Sequence, residues 1–282
     1  RNTGSIQVGA GYSSYSEFVF NGQLQQTNLF GKGQKLGVTV DLSKASSVFK
    51  LSFTEPYFMD TEWSVGGDIY RSQVNRDIYT EIKQGAAVRL GHPLAPYLDG
   101  FIRYKNDHTE IKPGSADSGY DPLLYPVNTA NGNTSSVTFT LEYDKRDDRY
   151  TPSNGFYSSA SWEKAGLGGN LKYDKGYFNT RYYKKIFWDF VWRNNLSYAT
   201  IISPNPEGPP FNELYLLGGA NSLRGFYWFQ VGKKRQNSKG VYVPYGGSQQ
   251  AYYNLELEFP LISEAGIKGV LFYDIGNADD VL

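Results

Sequence analysis

Ser136-Val137-Thr138-Phe139-Thr140-Leu141-Glu142-Tyr143 sets an apolar side chain at every second position, with Ser, Thr and Glu between them. In an extended chain successive side chains leave on opposite sides, so this segment has one apolar and one polar face. A clean two-faced strand belongs to an antiparallel sheet, because strands of a parallel sheet are covered on both sides and read as continuous apolar runs. The same period recurs outward along the chain. Leu36, Val38, Val40 and Leu42 alternate with Gly37, Thr39, Asp41 and Ser43, and Phe49, Leu51 and Phe53 with Lys50, Ser52 and Thr54. Near the C-terminus Tyr253, Leu255, Leu257 and Phe259 alternate with Asn254, Glu256 and Glu258. Carried through, the pattern predicts thirteen strands, at 4–12, 16–27, 34–43, 47–55, 62–74, 78–90, 97–109, 134–144, 156–165, 171–185, 188–201, 249–260 and 267–275. The segments 97–109 and 171–185 alternate poorly and are placed mainly by spacing.

Length and connections decide what kind of sheet this is. Several strands reach the roughly 9–11 residues that a tilted strand needs to cross a bilayer. Short connections, as at 42–47 and 188–189, contrast with long polar ones at 110–133 and 202–248. Tight turns on one side and long loops on the other are the arrangement of outer-membrane barrels. A soluble sandwich, the competing reading, has little reason for a loop as long as 202–248. Aromatic side chains gather at strand ends, with Pro56, Tyr57, Phe58 and Trp63 at one turn and Phe187, Trp188, Phe190 and Trp192 at another. Ordinary core packing would also gather them, but their place at strand ends suits interfacial girdles.

Composition agrees. The 282 residues carry 28 basic and 28 acidic side chains, so a chain-wide basic field for nucleic acid is absent and no nucleic-acid partner is expected. No run reaches the ~18 consecutive apolar residues of a spanning helix. A barrel wall gives no such run, since every second residue faces a polar lumen. Aromatics make up 16%, led by tyrosine, as a wall with aromatic girdles requires. There is no cysteine, which excludes a disulfide framework and a thiolate metal site. The chain opens directly on a strand-like segment, so any targeting region is expected upstream. Thirteen is an odd count for a bacterial barrel, and Asp279-Asp280-Val281-Leu282 follows just after a strand. The expectation is one all-β transmembrane antiparallel barrel domain over 1–282, lacking its closing strands and any periplasmic domains.

The segment 202–248 holds Gly218-Gly219-Ala220-Asn221-Ser222-Leu223-Arg224-Gly225-Phe226. A Gly-Gly pair permits unusual backbone angles and close approach. One Arg between an apolar residue and Gly-Phe suggests a loop tip folded inward onto a carboxylate. Taken alone, the cluster is equally a glycine-rich surface turn. In context it resembles the signature of the BamA superfamily, which also holds TamA-like and two-partner-secretion barrels. In that family the sixth extracellular loop carries an Arg-Gly-Phe or Arg-Gly-Tyr tip that enters the lumen and pairs with acids of the wall. The resemblance implies Glu256, within Asn254-Leu255-Glu256-Leu257-Glu258-Phe259-Pro260, and Asp274, within Phe272-Tyr273-Asp274-Ile275-Gly276-Asn277, as the partners of Arg224. Alternation sets Glu256 opposite in facing to Leu255 and Leu257, and Glu258 competes with it on the same face. Gly4-Ser5-Ile6-Gln7-Val8-Gly9-Ala10-Gly11-Tyr12 is similar to the family's first strand, and Glu55-Pro56-Tyr57-Phe58 to the turn after its fourth. Asp144-Lys145-Arg146-Asp147-Asp148-Arg149-Tyr150-Thr151-Pro152-Ser153-Asn154-Gly155 resembles the charged turn after its eighth. The likeness covers essentially the whole chain. It departs from the family in lacking POTRA domains and the last three strands, and in having Leu223 where Val or Ile is usual before the Arg.

The resemblance implies an outer-membrane protein insertase of a Gram-negative bacterium. Its partners would be the outer-membrane bilayer, unfolded β-barrel clients and accessory outer-membrane lipoproteins. The lateral gate would be strand 1, formed by Ser5, Ile6, Gln7, Val8, Gly9, Ala10, Gly11 and Tyr12, with Gly9 and Gly11 weakening it. An open sheet edge is a template for another strand, so the gate would pair with a client strand. A polypeptide-secreting or TamA-like relative shares the loop motif and stays open as an alternative, to be separated by its POTRA domains. A passive porin predicts a ring of charges instead of this tip. No enzyme reading stands: His92 and His108 are isolated, and Gly219-Ala220-Asn221-Ser222-Leu223 does not make a nucleophile elbow. No catalytic residue, metal or cofactor is implied.

Overall fold

The computed structural model describes residues 3–13, 16–76, 78–114, 119–262 and 265–280. Period-two patterning becomes strand throughout. The strands are β1 (Gly4–Ser13), β2 (Glu17–Leu29), β3 (Gln34–Leu42), β4 (Ser46–Glu55), β5 (Ser64–Asn75), β6 (Tyr79–Ala95), β7 (Leu98–Pro113), β8 (Gly132–Arg146), β9 (Gly155–Ala165), β10 (Asp174–Lys185), β11 (Val191–Ile202), β12 (Lys234–Gln236), β13 (Tyr242–Pro244), β14 (Gln249–Ile262) and β15 (Ile267–Asp279). Thirteen form one sheet in chain order, β1 to β11 followed by β14 and β15, while β12 and β13 form a separate small hairpin. The all-β antiparallel reading therefore holds strand for strand.

The differences are local. β7 and β8 run further into the long connection than alternation indicates, and α1 (Val127–Ala130) occupies part of what remains. β11 begins at Val191, not at 188, because Phe187–Asp189 form a 3-10 turn in which Trp188 has φ 53° and Asp189 φ 62°. Left-handed backbone at two consecutive positions ends a strand. The β12–β13 hairpin inside 202–248 is too short for periodicity to reveal.

By contact density the chain divides into two compact units. One comprises the chain up to Pro93 with Phe101–Phe139 and Lys164–Lys172, the other Leu94–Gly100, Thr140–Glu163 and the chain from Tyr173. In the first, register places Val38, Leu51 and Ile69 side by side across β3, β4 and β5, and Phe53, Gly67 and Val88 across β4, β5 and β6. Phe49, Leu51, Phe53, Ile69 and Val88 are all exposed, Ile69 at 60%. On the opposite face Asp68 is only 2% exposed. Arg89 donates from Nη2 to Asp68 Oδ1 at 3.2 Å and to Thr54 Oγ1 at 3.2 Å, and Lys50 Nζ stands 3.4 Å from Asp68. Gly66 leaves the room: a Cβ there would lie 3.0 Å from Arg89 Nη2 and 2.9 Å from Phe53 O. An antiparallel sheet with apolar residues outward and charges covered is inverted relative to a water-soluble domain, and it suits a wall whose outer solvent is hydrocarbon.

In the second unit the turn between β8 and β9 is held by its own acids. Asp147 accepts from Ser153 Oγ at 2.5 Å and from the amides of Ser153 and Asp148 at 3.0 and 2.9 Å. These bonds, the Ser153 hydroxyl first, lower the Asp147 pKa from 3.8 to about 2.

Two measurements test this account. Asp68→Ala leaves Arg89 and Lys50 without their acid. Broken buried pairs lose several kcal/mol, and with both cations partly exposed the expected loss is about 2–3 kcal/mol, read as a lower urea midpoint in detergent micelles. An unchanged midpoint would show that the covered charges do not brace these strands. For Asp147 the folded pKa lies below the unfolded one, so its stabilisation of the turn is complete above the unfolded value and fades as pH falls toward about 2. Carbon-13 titration of its carboxyl should give a midpoint near 2, and a midpoint at 3.8 would remove the bonds described.

Candidate functional site

The 203–248 connection leaves β11 and re-enters the sheet at β14. It is tacked down at several places. Tyr215 and Gly247 exchange backbone hydrogen bonds at 2.9 and 3.0 Å, and Leu217 and Val231 at 2.8 and 3.0 Å. Lys175 on β10 pairs with Glu213, and Lys233 with Asp280 just past β15. Leu217, Leu223 and Ala278 form a small buried apolar cluster, with Tyr215, Val231 and Tyr252 against it. Burying Leu223 fixes where the next residue, Arg224, must stand.

The glycines make the approach possible. Gly218 has φ 122° and a Cβ there would lie 2.0 Å from Tyr227 O, while Gly219 has φ 85° and its Cβ would lie 2.4 Å from the Trp228 ring. No other residue fits either place. Ser222 closes the turn, its Oγ accepting from Gly218 N at 2.9 Å and donating to Gly218 O at 3.1 Å. Gly225, at φ 88°, lets the chain turn away from the tip.

Arg224 is then spent entirely on the wall. Its Nε donates to Asp274 Oδ2 at 2.8 Å and its Nη2 to Asp274 Oδ1 at 2.6 Å, a bidentate fork. Its backbone N–H adds a third bond to Asp274 at 2.9 Å, and Nη1 donates to Glu256 Oε1 at 2.5 Å. The guanidinium carbon lies 3.8 Å from the centre of the Phe272 ring, a cation–π contact. Hydrogen bonding to Asp274, then to Glu256, raises the Arg224 pKa above its usual value. The side chain stays charged at any physiological pH.

Behind Asp274 runs a chain of side-chain amides. Asn179 donates to Asn195, Asn195 to Asn254 and Asn254 to Asp274, each at 2.8 Å, crossing β10, β11, β14 and β15. Asn254 also donates to Ser222 O at 2.7 Å, so it holds both the wall acid and the loop. Arg181 donates from Nε to Asn179 at 3.0 Å. Beside the tip lies a polar cavity of about 210 Å³, lined by Arg181, Arg193, Asn221 and Glu256 among others.

Of the sequence-derived site residues, the structure brings together Arg224, Glu256 and Asp274, with Gly218, Gly219 and Gly225 shaping the loop around them. Glu258 has partners of its own, Arg193 at 2.7 Å and Lys268 at 2.8 Å, so Glu256 is the acid that meets the tip. Phe226 stays exposed and contributes its carbonyl, which accepts from Gly219 N at 2.9 Å. Residues 5–12 lie in β1, within the first unit. β1 pairs with β2 along its whole length, heads the strand order, and is exposed at every position. A Cβ on Gly9 would meet nothing nearer than 3.9 Å, and one on Gly11 nothing within 4 Å, so packing does not require glycine there. The amide chain and Phe272 were missed by motif reading. The available signal was a set of asparagines at mid-strand positions, which are poor strand formers and carry polar groups that must be answered.

The sequence profile of the Omp85 superfamily domain matches residues 28–280. The outer membrane protein assembly factor BamA of Neisseria meningitidis is 27% identical over 300 residues, covering 99% of this chain and 38% of that protein. The sorting and assembly machinery component 50 homolog of Xenopus tropicalis is 23% identical, covering 91% of this chain and 55% of that one. Among solved structures, BamA from Haemophilus ducreyi lacking POTRA domains 1–3 superposes with a TM-score of 0.84 at 25% identity, over 99% of this chain and 58% of that one. The chain thus spans little more than a third to about half of the curated relatives it matches.

If the tip is pinned as described, Arg224→Ala should lower stability by about 2–4 kcal/mol, since it strands two acids that share one cation. Trypsin should then cut faster at Lys233, Lys234 and Arg235 in the freed loop, while Arg224→Lys, keeping charge but losing the fork, should fall between. Equal cleavage rates in all three proteins would mean the loop is held by its other contacts alone.

Proposed function

This chain belongs to the Omp85 superfamily, and from that premise we propose that it is the membrane-embedded part of an outer-membrane protein insertase of a Gram-negative bacterium. The observation that carries the reading is the Arg224 fork on Asp274 with its second contact to Glu256. A loop pinned in this way keeps the wall assembled while a seam opens.

The clients are unfolded β-barrel proteins, and the immediate environment is the outer-membrane bilayer. Accessory lipoproteins of that membrane are further partners of the whole protein. The gate is β1. With the seam open, the outer edge of β1 offers N–H and C=O groups, and in hydrocarbon such groups are satisfied only by another strand. A client strand adding to β1 exchanges no covalent bond. The driving force is the client's own folding, as its peptide groups pair and its apolar face meets lipid. Arg224, Glu256 and Asp274 hold β14 and β15 to the loop while this happens, and the Asn179–Asn195–Asn254 chain extends that hold to β10 and β11.

The test uses the full-length protein in liposomes, an unfolded outer-membrane barrel and its chaperone. Conversion of the client to a protease-resistant, heat-modifiable form should be faster than in empty liposomes, and slower again with Arg224→Ala. A disulfide between β1 and the last strand of the full-length protein should abolish the acceleration until it is reduced. Full activity with that seam locked would remove the gate. No acceleration at all, with passage of a partner polypeptide instead, would place the protein among the secretion members of the superfamily.

A further inference from the structure

In the first unit, the β2–β3 and β4–β5 turns and the strand ends they join enclose a hollow of about 1070 Å³. Phe53, Val65 and Gly67 line its strand side, and Lys32, Glu55 and Asp60 its turn side. Register settles the face on which it opens. Phe53 pairs with Gly67 and Gly67 with Val88, on the same side as the exposed Leu51 and Ile69 and opposite to Asp68. This is the face that meets hydrocarbon if the strands cross a bilayer. Gly67 leaves the space: a Cβ there would meet nothing nearer than Ala87 O at 3.8 Å, so a gap stands between Phe53 and Val88 that a side chain would fill.

The end of the wall also follows from topology. The long 114–131 connection follows an odd-numbered strand, whereas both turns at the hollow follow even-numbered ones. They stand at the opposite end, which in a barrel of this kind is periplasmic, level with the headgroups of the inner leaflet. The charges there are separated by sign. Lys32 on the β2–β3 turn has no acidic partner among the described residues, and Asp60 on the β4–β5 turn has no basic one. Among the described residues Glu55 is bound only by neutral donors, Gln34 Nε2 at 2.7 Å and Tyr57 N at 3.3 Å. Met59 and Asp60 both hold positive φ, 52° and 59°, a conformation unfavourable for a residue with a side chain. The turn is nevertheless fixed, by Phe58 N to Trp63 O at 2.8 Å and Thr61 N to Phe58 O at 3.2 Å.

A lone cation facing two acids across an apolar floor complements a phosphate joined to a primary ammonium above acyl chains. We propose that the hollow is a site for one phosphatidylethanolamine molecule of the inner leaflet. Its phosphate meets Lys32, its ammonium meets Glu55 and Asp60, and the first acyl carbons lie along Phe53 and Val65 over Gly67. The site rests on the reading of these strands as membrane-spanning, not on insertase activity.

The test is native mass spectrometry of the full-length protein, delipidated in mild detergent and then offered phosphatidylethanolamine, phosphatidylglycerol or phosphatidylcholine. The wild type should retain one phosphatidylethanolamine in preference to the other two. Gly67→Leu, which fills the gap, should reduce retention at least about fivefold, a difference of roughly one interaction of this kind. Heat-modifiability on gels checks that the variant is folded. If it is not, Lys32→Ala with Asp60→Asn, both on exposed turns, replaces it and should lose the same preference. Retention unchanged in a folded variant overturns the site, and so does phosphatidylglycerol binding the wild type as well as phosphatidylethanolamine. A protein that accelerates client folding yet retains no phosphatidylethanolamine overturns the site and leaves the insertase reading standing.

Discussion

A peptide group in hydrocarbon has no water to answer it, so every backbone N–H and C=O at membrane depth must find a partner within the protein. The thirteen-stranded sheet is the response to that constraint, its strands paired in chain order with only the small β12–β13 hairpin left out between β11 and β14. Side chains then sort by solvent. Phe49, Leu51, Phe53 and Ile69 stay exposed on one face, and Asp68 is covered on the other with Arg89 and Lys50 around it. The polar side becomes the place where charged residues are cheap to keep and where they can be used to fasten one strand to the next.

In the second unit the 203–248 loop depends on polar side chains of the strands around it. A connection of this length would lose much conformational entropy on being ordered. Its own backbone pairs, at Tyr215 with Gly247 and Leu217 with Val231, fix only parts of it. Beside the Lys175–Glu213 and Lys233–Asp280 pairs and the buried Leu217 and Leu223, Arg224 fastens the tip by putting four hydrogen bonds on two acids from adjacent strands. The dependence is mutual, since Asp274 and Glu256 would otherwise be neighbouring like charges. Asn254 joins the two sides, donating to Asp274 and to Ser222 of the loop. Through Asn195 and Asn179 the same network reaches β10, so loop tip and four strands form one polar unit. Such networks are stiff when every member is satisfied, so the tip and the strands it meets are held as one piece.

Much of this was legible in the chain. Alternation located most of the sheet strands because a residue's face depends only on its parity within a strand, while 97–109 and 171–185, which alternate poorly, were placed by spacing. Where boundaries shifted, as at Trp188, a tight turn with left-handed backbone intervened, and no period announces one. The glycine pair at 218 and 219 was visible as a cluster, but its necessity lay in the nearness of Tyr227 and Trp228. The hollow over Gly67 was not legible at all, since a glycine inside a strand reads the same whether its missing side chain leaves a clash relieved or a space unfilled.

The sequence by itself determined the architecture and the two faces of each strand, because a period of two is a local property of an extended chain. It also supplied the Arg-Gly-Phe tip and two acids of the right parity. Only the tertiary structure decided between Glu256 and Glu258. Both point the same way from β14, and parity cannot separate them. Arg193 and Lys268 from the flanking strands neutralise Glu258, leaving Glu256 beside Asp274 for the loop. Charge pairing across strands depends on register and on where a distant loop lands, and neither is written in the residues next to the acid.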